Sequence, residues 1–139
     1  MREIKFRGYG IRSKEWHYGF VYNYVTCRDG VAVEHYAIQL KESKEKLIMD
    51  DYMFEVEEAS IGQYTGFKDK NGKEIYEGDI IKYETHDGRE TYIKQVEVCF
   101  DEELGMWTVH AEEVNLYFIN SRCEVIGNIY EEKEEQKVG

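Results

Sequence analysis

From Glu15 to Val25 the side chains alternate with a strict period of two. Trp16, Tyr18, Phe20, Tyr22 and Tyr24 stand on one side, and His17, Gly19, Val21, Asn23 and Val25 on the other. A helix would scatter these aromatics around its circumference, whereas a strand sends successive side chains to opposite faces. Aromatic and β-branched residues at this spacing therefore predict one long strand. The chain has no proline, where ordinary usage would put about seven in its 139 residues. Proline removes a ladder donor and is tolerated mainly at strand edges, so its absence suits a chain built of paired strands.

The same period recurs on both sides of that strand. Residues 3–9 set Ile4, Phe6 and Gly8 against Lys5, Arg7 and Tyr9, and residues 31–38 set Val31, Val33, His35 and Ala37 against Tyr36 and Ile38. Arg28-Asp29-Gly30 between them is a turn, because glycine accepts positive φ. The first 40 residues thus read as a three-stranded antiparallel meander. Residues 41–58 hold three Lys against seven Asp and Glu and serve as an acidic connector, with 50–58 able to pair as an edge strand. From Asp79 on, about five short strands with tight Gly and Asp turns predict an SH3-like or OB-like small barrel. The expected fold is mainly β with little helix: an N-terminal antiparallel region over 1–58, a signature hairpin with a small barrel over 59–131, and a charged, fraying tail over 132–139.

Charge narrows the partner classes. Lys and Arg number 18 against 29 Asp and Glu, a net −11, which opposes a nucleic-acid backbone as the default partner. Residues 1–14 carry +4, through Arg2, Lys5, Arg7, Arg12 and Lys14 against Glu3, so a single-stranded nucleic-acid platform beside the aromatic strand stays open. Carboxylates concentrate at Asp50, Asp51, Glu55, Glu57 and Glu58, and at Asp101, Glu102, Glu103, Glu112 and Glu113. Ordinary solvation is the first reading of these groups; mimicry of DNA charge is the second. No run reaches 18 apolar residues and the first residues lack a secretory apolar stretch, so no membrane is expected and the compartment is the cytoplasm. Cys27, Cys99 and Cys123 are widely spaced, with no CxxC pair, and read as reduced thiols.

Weighed residue by residue, catalysis is the minority reading. His17, His35, His86 and His110 have no partner at telling spacing, and His86 beside Asp87-Gly88 reads as a solvated turn residue. His110 with Glu112 and Glu113 is a weak metal candidate. Glycines around 62–78 feed strands rather than a helix N-terminus, which removes the usual phosphate-cradling loop. No catalytic residue, cofactor or metal ligand is assigned. The aromatic stripe is either a packed core ladder or an interface, with another copy of the chain as the leading partner. Trp16, Tyr18, Tyr22 and Tyr24, together with Lys68 and Lys70 in an exposed loop, are the candidate contacts. Gly62, Gly66, Asn71, Gly72, Gly78 and Asp79 form a turn motif whose first reading is architectural, with Asp79 capping backbone N–H groups.

The block from Ile61-Gly62-Gln63-Tyr64-Thr65-Gly66-Phe67 through Asp69-Lys70-Asn71-Gly72 to Tyr76-Glu77-Gly78-Asp79-Ile80-Ile81 closely resembles the signature of the YopX family. The opening Arg2–Gly8 with Trp16 and Tyr18-Gly19, and the close Val125-Ile126-Gly127-Asn128-Ile129-Tyr130-Glu131, resemble the family's ends. Phe67 departs from the family's more usual Leu without changing chemical character. The resemblance implies a phage or prophage origin, a mainly β fold and self-association, and it transfers no catalytic residue. The function expected is non-enzymatic binding or assembly in the host bacterial cytoplasm, with a host protein as another possible partner. A nucleic-acid-associated or DNA-mimicking regulator and an unrecognised enzyme are the alternatives.

Overall fold

A computed structural model of the chain describes residues 3–40, 53–109 and 114–138. The carboxylates Asp50 and Asp51, the charge run 41–46, and His110, Glu112 and Glu113 lie outside the described residues. The fold is mainly β and its sheets are antiparallel. It divides into two compact units that part between Gln63 and Tyr64.

The first unit holds β1 (Phe6–Tyr9), β2 (Trp16–Arg28), β3 (Val31–Leu40) and β4 (Met53–Val56) in the order β4-β3-β2-β1. The long strand, its two neighbours and the acidic edge strand are thus all present. Asp29 and Gly30 both have positive φ, 52° and 78°, so β2 and β3 are joined by a two-residue turn whose twist matches the strands. The inner face packs Ile38, Val56 and His17 beside Gly8 and Gly19. A Cβ on Gly8 would stand 2.8 Å from Val56 Cγ2, so the strands approach closely there.

Residues 59–63 group with the first unit by their contacts. Ser60 accepts the Tyr9 N–H at 2.8 Å and donates to the Glu57 carbonyl, and Gln63 and Gly62 at the start of β5 (Gly62–Lys68) pair with Phe6 and Arg7 of β1.

In the second unit β5 pairs with β6 (Glu74–Tyr76). A five-stranded sheet follows in the order β10-β9-β8-β7-β11, built from β7 (Asp79–His86), β8 (Thr91–Asp101), β9 (Met106–Val109), β10 (Val114–Asn115) and β11 (Glu124–Asn128). This corrects the SH3-like barrel: the sheet is open, with β10 and β11 as its edges. Closure needs a continuous ladder around the barrel, and among the described residues β10 and β11 do not pair with each other. Ile81, Tyr83, Val98, Trp107, Val109, Leu116, Ile119, Cys123 and Ile75 form the core.

Residues Ile129–Val138 form the helix α1, capped by Asn128, whose Oδ1 accepts the Glu131 N–H at 2.8 Å. Asn128-Ile-Tyr-Glu131 has the capping-box spacing, and Glu131 and Glu132 favour the positive end of the helix dipole.

Burial sorts the thiols: Cys27 is exposed and Cys123 is buried in the core. Burial, aided by the Asp69 carboxylate, pushes the Cys123 thiol up to about 11. Only the thiolate attacks an alkylating reagent. In the native protein at pH about 8, Cys27 is therefore expected to label quickly and Cys123 to resist until the chain is unfolded, as read by mass spectrometry of the alkylated peptides.

Candidate functional site

The pairing beside β2 changes along its length. Among the described residues β1 pairs with β2 from Trp16 to Gly19, and β4 pairs with β3 from Tyr36 to Gln39. From Tyr24 to Arg28 and from Val31 to His35 the hairpin continues as a two-stranded ribbon. Among the described residues no third strand pairs with this ribbon, and a two-stranded ribbon alone in water is marginal.

The outer face of this unit carries the stripe. Tyr18, Phe20 and Tyr22 are 46%, 43% and 49% exposed, and Val31 and Val33 continue the same face across the register pairs Arg28–Val31 and Thr26–Val33. These three residues do not form a packed core. The ends of the stripe are tied down. Trp16 lies under the Arg7 guanidinium, 4.7 Å from the ring centroid, and meets Tyr9 edge-on at 5.4 Å. Tyr24 contacts Tyr22 at 6.2 Å and stacks on His35 at 4.8 Å.

His35 has partners that chain spacing concealed. Its Nδ1 stands 2.9 Å from Glu55 Oε1 and its Nε2 stands 2.7 Å from Thr26 Oγ1. An ionised carboxylate only accepts, so Nδ1 donates to Glu55, and in the neutral imidazole Nε2 then accepts from the Thr26 hydroxyl. A carboxylate, an imidazole and a hydroxyl in line can in principle deprotonate the hydroxyl. Here Thr26 lies on an exposed ribbon, and the neighbouring groove, lined by Arg12, Ser13, Tyr24, Ala37, Met53, Phe54 and Glu55, does not include it. The relay ties β2, β3 and β4 together around the Tyr24 ring. His17 likewise bonds Ser13 Oγ at 2.7 Å and stacks on Phe54, and burial pulls its pKa below the usual value against the opposing pull of Glu15.

Of the basic set at residues 1–14, Arg12 and Lys14 are exposed. Arg7 is buried over Trp16, and Lys5 pairs with Glu3 at 3.6 Å.

The other sequence candidates belong to the second unit. Lys68 is exposed at the end of β5 opposite Glu74, and Lys70 is exposed one residue beyond the buried Asp69. Gly66, Gly72 and Gly78 have φ of 87°, 81° and 89°, values a side chain would strain. Asn71 does not adopt positive φ, so the loop differs from the two-residue turn that Asn-Gly most often makes. Asp69 shapes it instead: Oδ1 accepts the N–H groups of Asn71 and Lys73 at 2.8 and 2.9 Å, and Oδ2 accepts that of Val125 at 2.9 Å. Asp79, buried, accepts the Tyr76 N–H at 2.7 Å. Gly62 is buried on β5 in the first unit.

Among the described residues no His, Cys, Asp and Glu gather in a group of three able to hold a metal ion, and no helix is long and apolar enough to cross a membrane. The crystal structure of protein EF1440 from Enterococcus faecalis is similar to this fold, with a TM-score of 0.51, at 22% identity over 97% of this chain and 99% of that one. No curated protein matches the chain. The family profile described as YopX protein matches residues 5–135. That span takes in the aromatic strand, the Asp69 loop and the capped start of α1, and the chain belongs to the YopX family.

Proposed function

We propose that the chain is a non-enzymatic binding and assembly protein that works through the outer face of β2 and β3, with a second copy of itself as first partner. The observation that supports this is the solvent-facing run of Tyr18, Phe20 and Tyr22 continued by Val31 and Val33. An aromatic side chain carries roughly 150–250 Å² of surface, so each half-exposed ring offers on the order of 100 Å². The five side chains together approach the size of patch, about 400 Å² and above, that marks an interaction site. That is about half of the roughly 800 Å² each partner buries in a standard interface, and the exposed Thr26, Arg28 and Gln39 supply a polar rim. The setting we propose is the cytoplasm of a bacterial host, in a phage or prophage programme, with a host protein as a further class of partner.

Light scattering on the purified chain tests this reading. A dimer is expected at tens of micromolar, and the double variant F20K/Y22K is expected to be monomeric with unchanged far-UV circular dichroism. Each copy carries −11, so the copies repel one another and association should tighten as salt rises. A nucleic-acid interface would respond in the opposite sense. A wild-type monomer at that concentration overturns the proposal, and salt-sensitive retention on single-stranded DNA would favour the nucleic-acid reading instead.

A further inference from the structure

A strand at the edge of a sheet exposes unpaired N–H and C=O groups, and folds blunt such edges with short strands, charges, proline or bulges. Several edges of this chain are blunted in that way. β6 is three residues long and β10 is two, β4 is four and carries Glu55, and β11 carries Glu124 and a register shift between Val125 and Gly127. The edge of β2 beyond its pairing with β1 is different. Residues 20–28 pair with β3 on one side, and among the described residues no strand pairs with the other side. The run Phe20-Val21-Tyr22-Asn23-Tyr24-Val25-Thr26-Cys27 holds no charge, no proline and no glycine. Phe20, Tyr22, Asn23, Val25, Thr26 and Cys27 are all exposed. Uncharged β-branched and aromatic runs of this kind are the ones that pair with further strands. The other edge of the hairpin that β4 leaves open, residues 31–35, is shorter and includes Glu34.

The turn fixes which backbone groups on that edge are open. Asp29 and Gly30 make a two-residue loop, so Arg28 and Val31 on either side exchange both backbone hydrogen bonds. Bonded and non-bonded pairs alternate from there, so Phe20, Tyr22, Tyr24 and Thr26 turn their N–H and C=O groups to β3. Val21, Asn23, Val25 and Cys27 turn theirs to the open side. We propose that a second copy of the chain pairs there, β2 against β2, antiparallel about a two-fold axis. This rests on the self-association proposed above and gives it a geometry, strand pairing along an edge. The register that uses all of residues 20–28 centres on Tyr24, which then meets Tyr24 of the second copy. Val21 and Asn23 bond to Cys27 and Val25 of the second copy, and Phe20 lies opposite its Arg28. A foreign strand could gain the same backbone bonds. A second copy also matches the edge in length, and two chains of −11 meet along segments with no carboxylate on either. Both edges are used up in the pair, so the contact closes at two copies.

Amide hydrogen exchange on the full wild-type chain, read residue by residue over a range of concentrations, tests the pairing. Above the midpoint of a dimer the free fraction falls as the square root of concentration. Exchange at Val21, Asn23, Val25 and Cys27 is therefore expected to slow about threefold for each tenfold rise. The amides of Tyr22, Tyr24 and Thr26 are held by β3 in either state and should be protected at every concentration. Val25→Pro removes one open-side N–H and none of the β2–β3 bonds, which is the placement a strand tolerates for proline. That variant is expected to keep the wild-type far-UV circular dichroism and to be monomeric by light scattering where wild type is dimeric. Should the ring disturb β2, the exchange measurement decides on wild type alone. A wild-type dimer whose four open-side amides exchange independently of concentration overturns the strand pairing and leaves the outer-face reading standing. So does a folded V25P that dimerises as tightly as wild type. A wild-type monomer overturns both; if its four amides are nonetheless slow, another segment of the chain covers the edge.

Discussion

Asp69→Asn is expected to destabilise the chain by about 2–4 kcal/mol, because one buried carboxylate satisfies three backbone donors. Asn can keep the contacts at Oδ1 but must turn its NH2 group towards the Val125 N–H, setting donor against donor. The lost bond joins residues 56 apart in the chain, from the loop after β5 to the start of β11. Burial acts to raise the Asp69 pKa, but the N–H groups of Val125, Lys73 and Asn71, with the Lys73 charge, outweigh it and hold the carboxyl below its usual value. A carboxylate depressed in the folded state contributes stability above its unfolded pKa of about 3.9, and that contribution fades as pH falls through the folded value. Urea midpoints should therefore show the largest gap between wild type and D69N near neutral pH, narrowing below about pH 4. An equal gap at pH 7 and in strong acid would show that the carboxylate charge is not the source.

Gly19→Ala is expected to cost about 3 kcal/mol, although Ala is ordinarily a mild replacement on a strand. A Cβ at this position would stand 2.0 Å from the Gln39 carbonyl oxygen and 2.9 Å from its carbon. Both are backbone atoms, so relief requires β3 to shift where it pairs with β2. The control is Gly30→Ala in the β2–β3 turn, where a Cβ meets nothing within 4 Å and only the positive φ of 78° is unfavourable. That change should cost about 1 kcal/mol, of the order of other left-handed penalties. Denaturant unfolding of both variants measures the difference. Equal losses would mean that the close approach of the strands at Gly19 is relieved without effort.

How legible this was differed from element to element. The alternation over 15–25 marked β2 and its two faces, and Asp29-Gly30 marked the turn that both residues make with positive φ. The run of short strands after Asp79 was visible too, but whether they closed was not. Closure depends on ladder lengths and staggers between strands far apart in the chain, and the two-residue β10 leaves an edge. The capped helix was written in Asn128 and Glu131 and was obscured by the charged residues that follow. His35 looked partnerless because Thr26 and Glu55 lie on other strands, 9 and 20 residues away.

What the residue order determined by itself was local: strand period, the faces of β2, and the turns that glycine and Asp make possible. These depend on backbone preference and on neighbours two or three residues away. Which face of β2 meets water was decided only by the tertiary structure: on one face His17 and Gly19 are buried with Ile38 and Val56, and on the other Tyr18, Phe20 and Tyr22 stay half exposed. Alternation says that two faces differ. What packs against each one says which is buried.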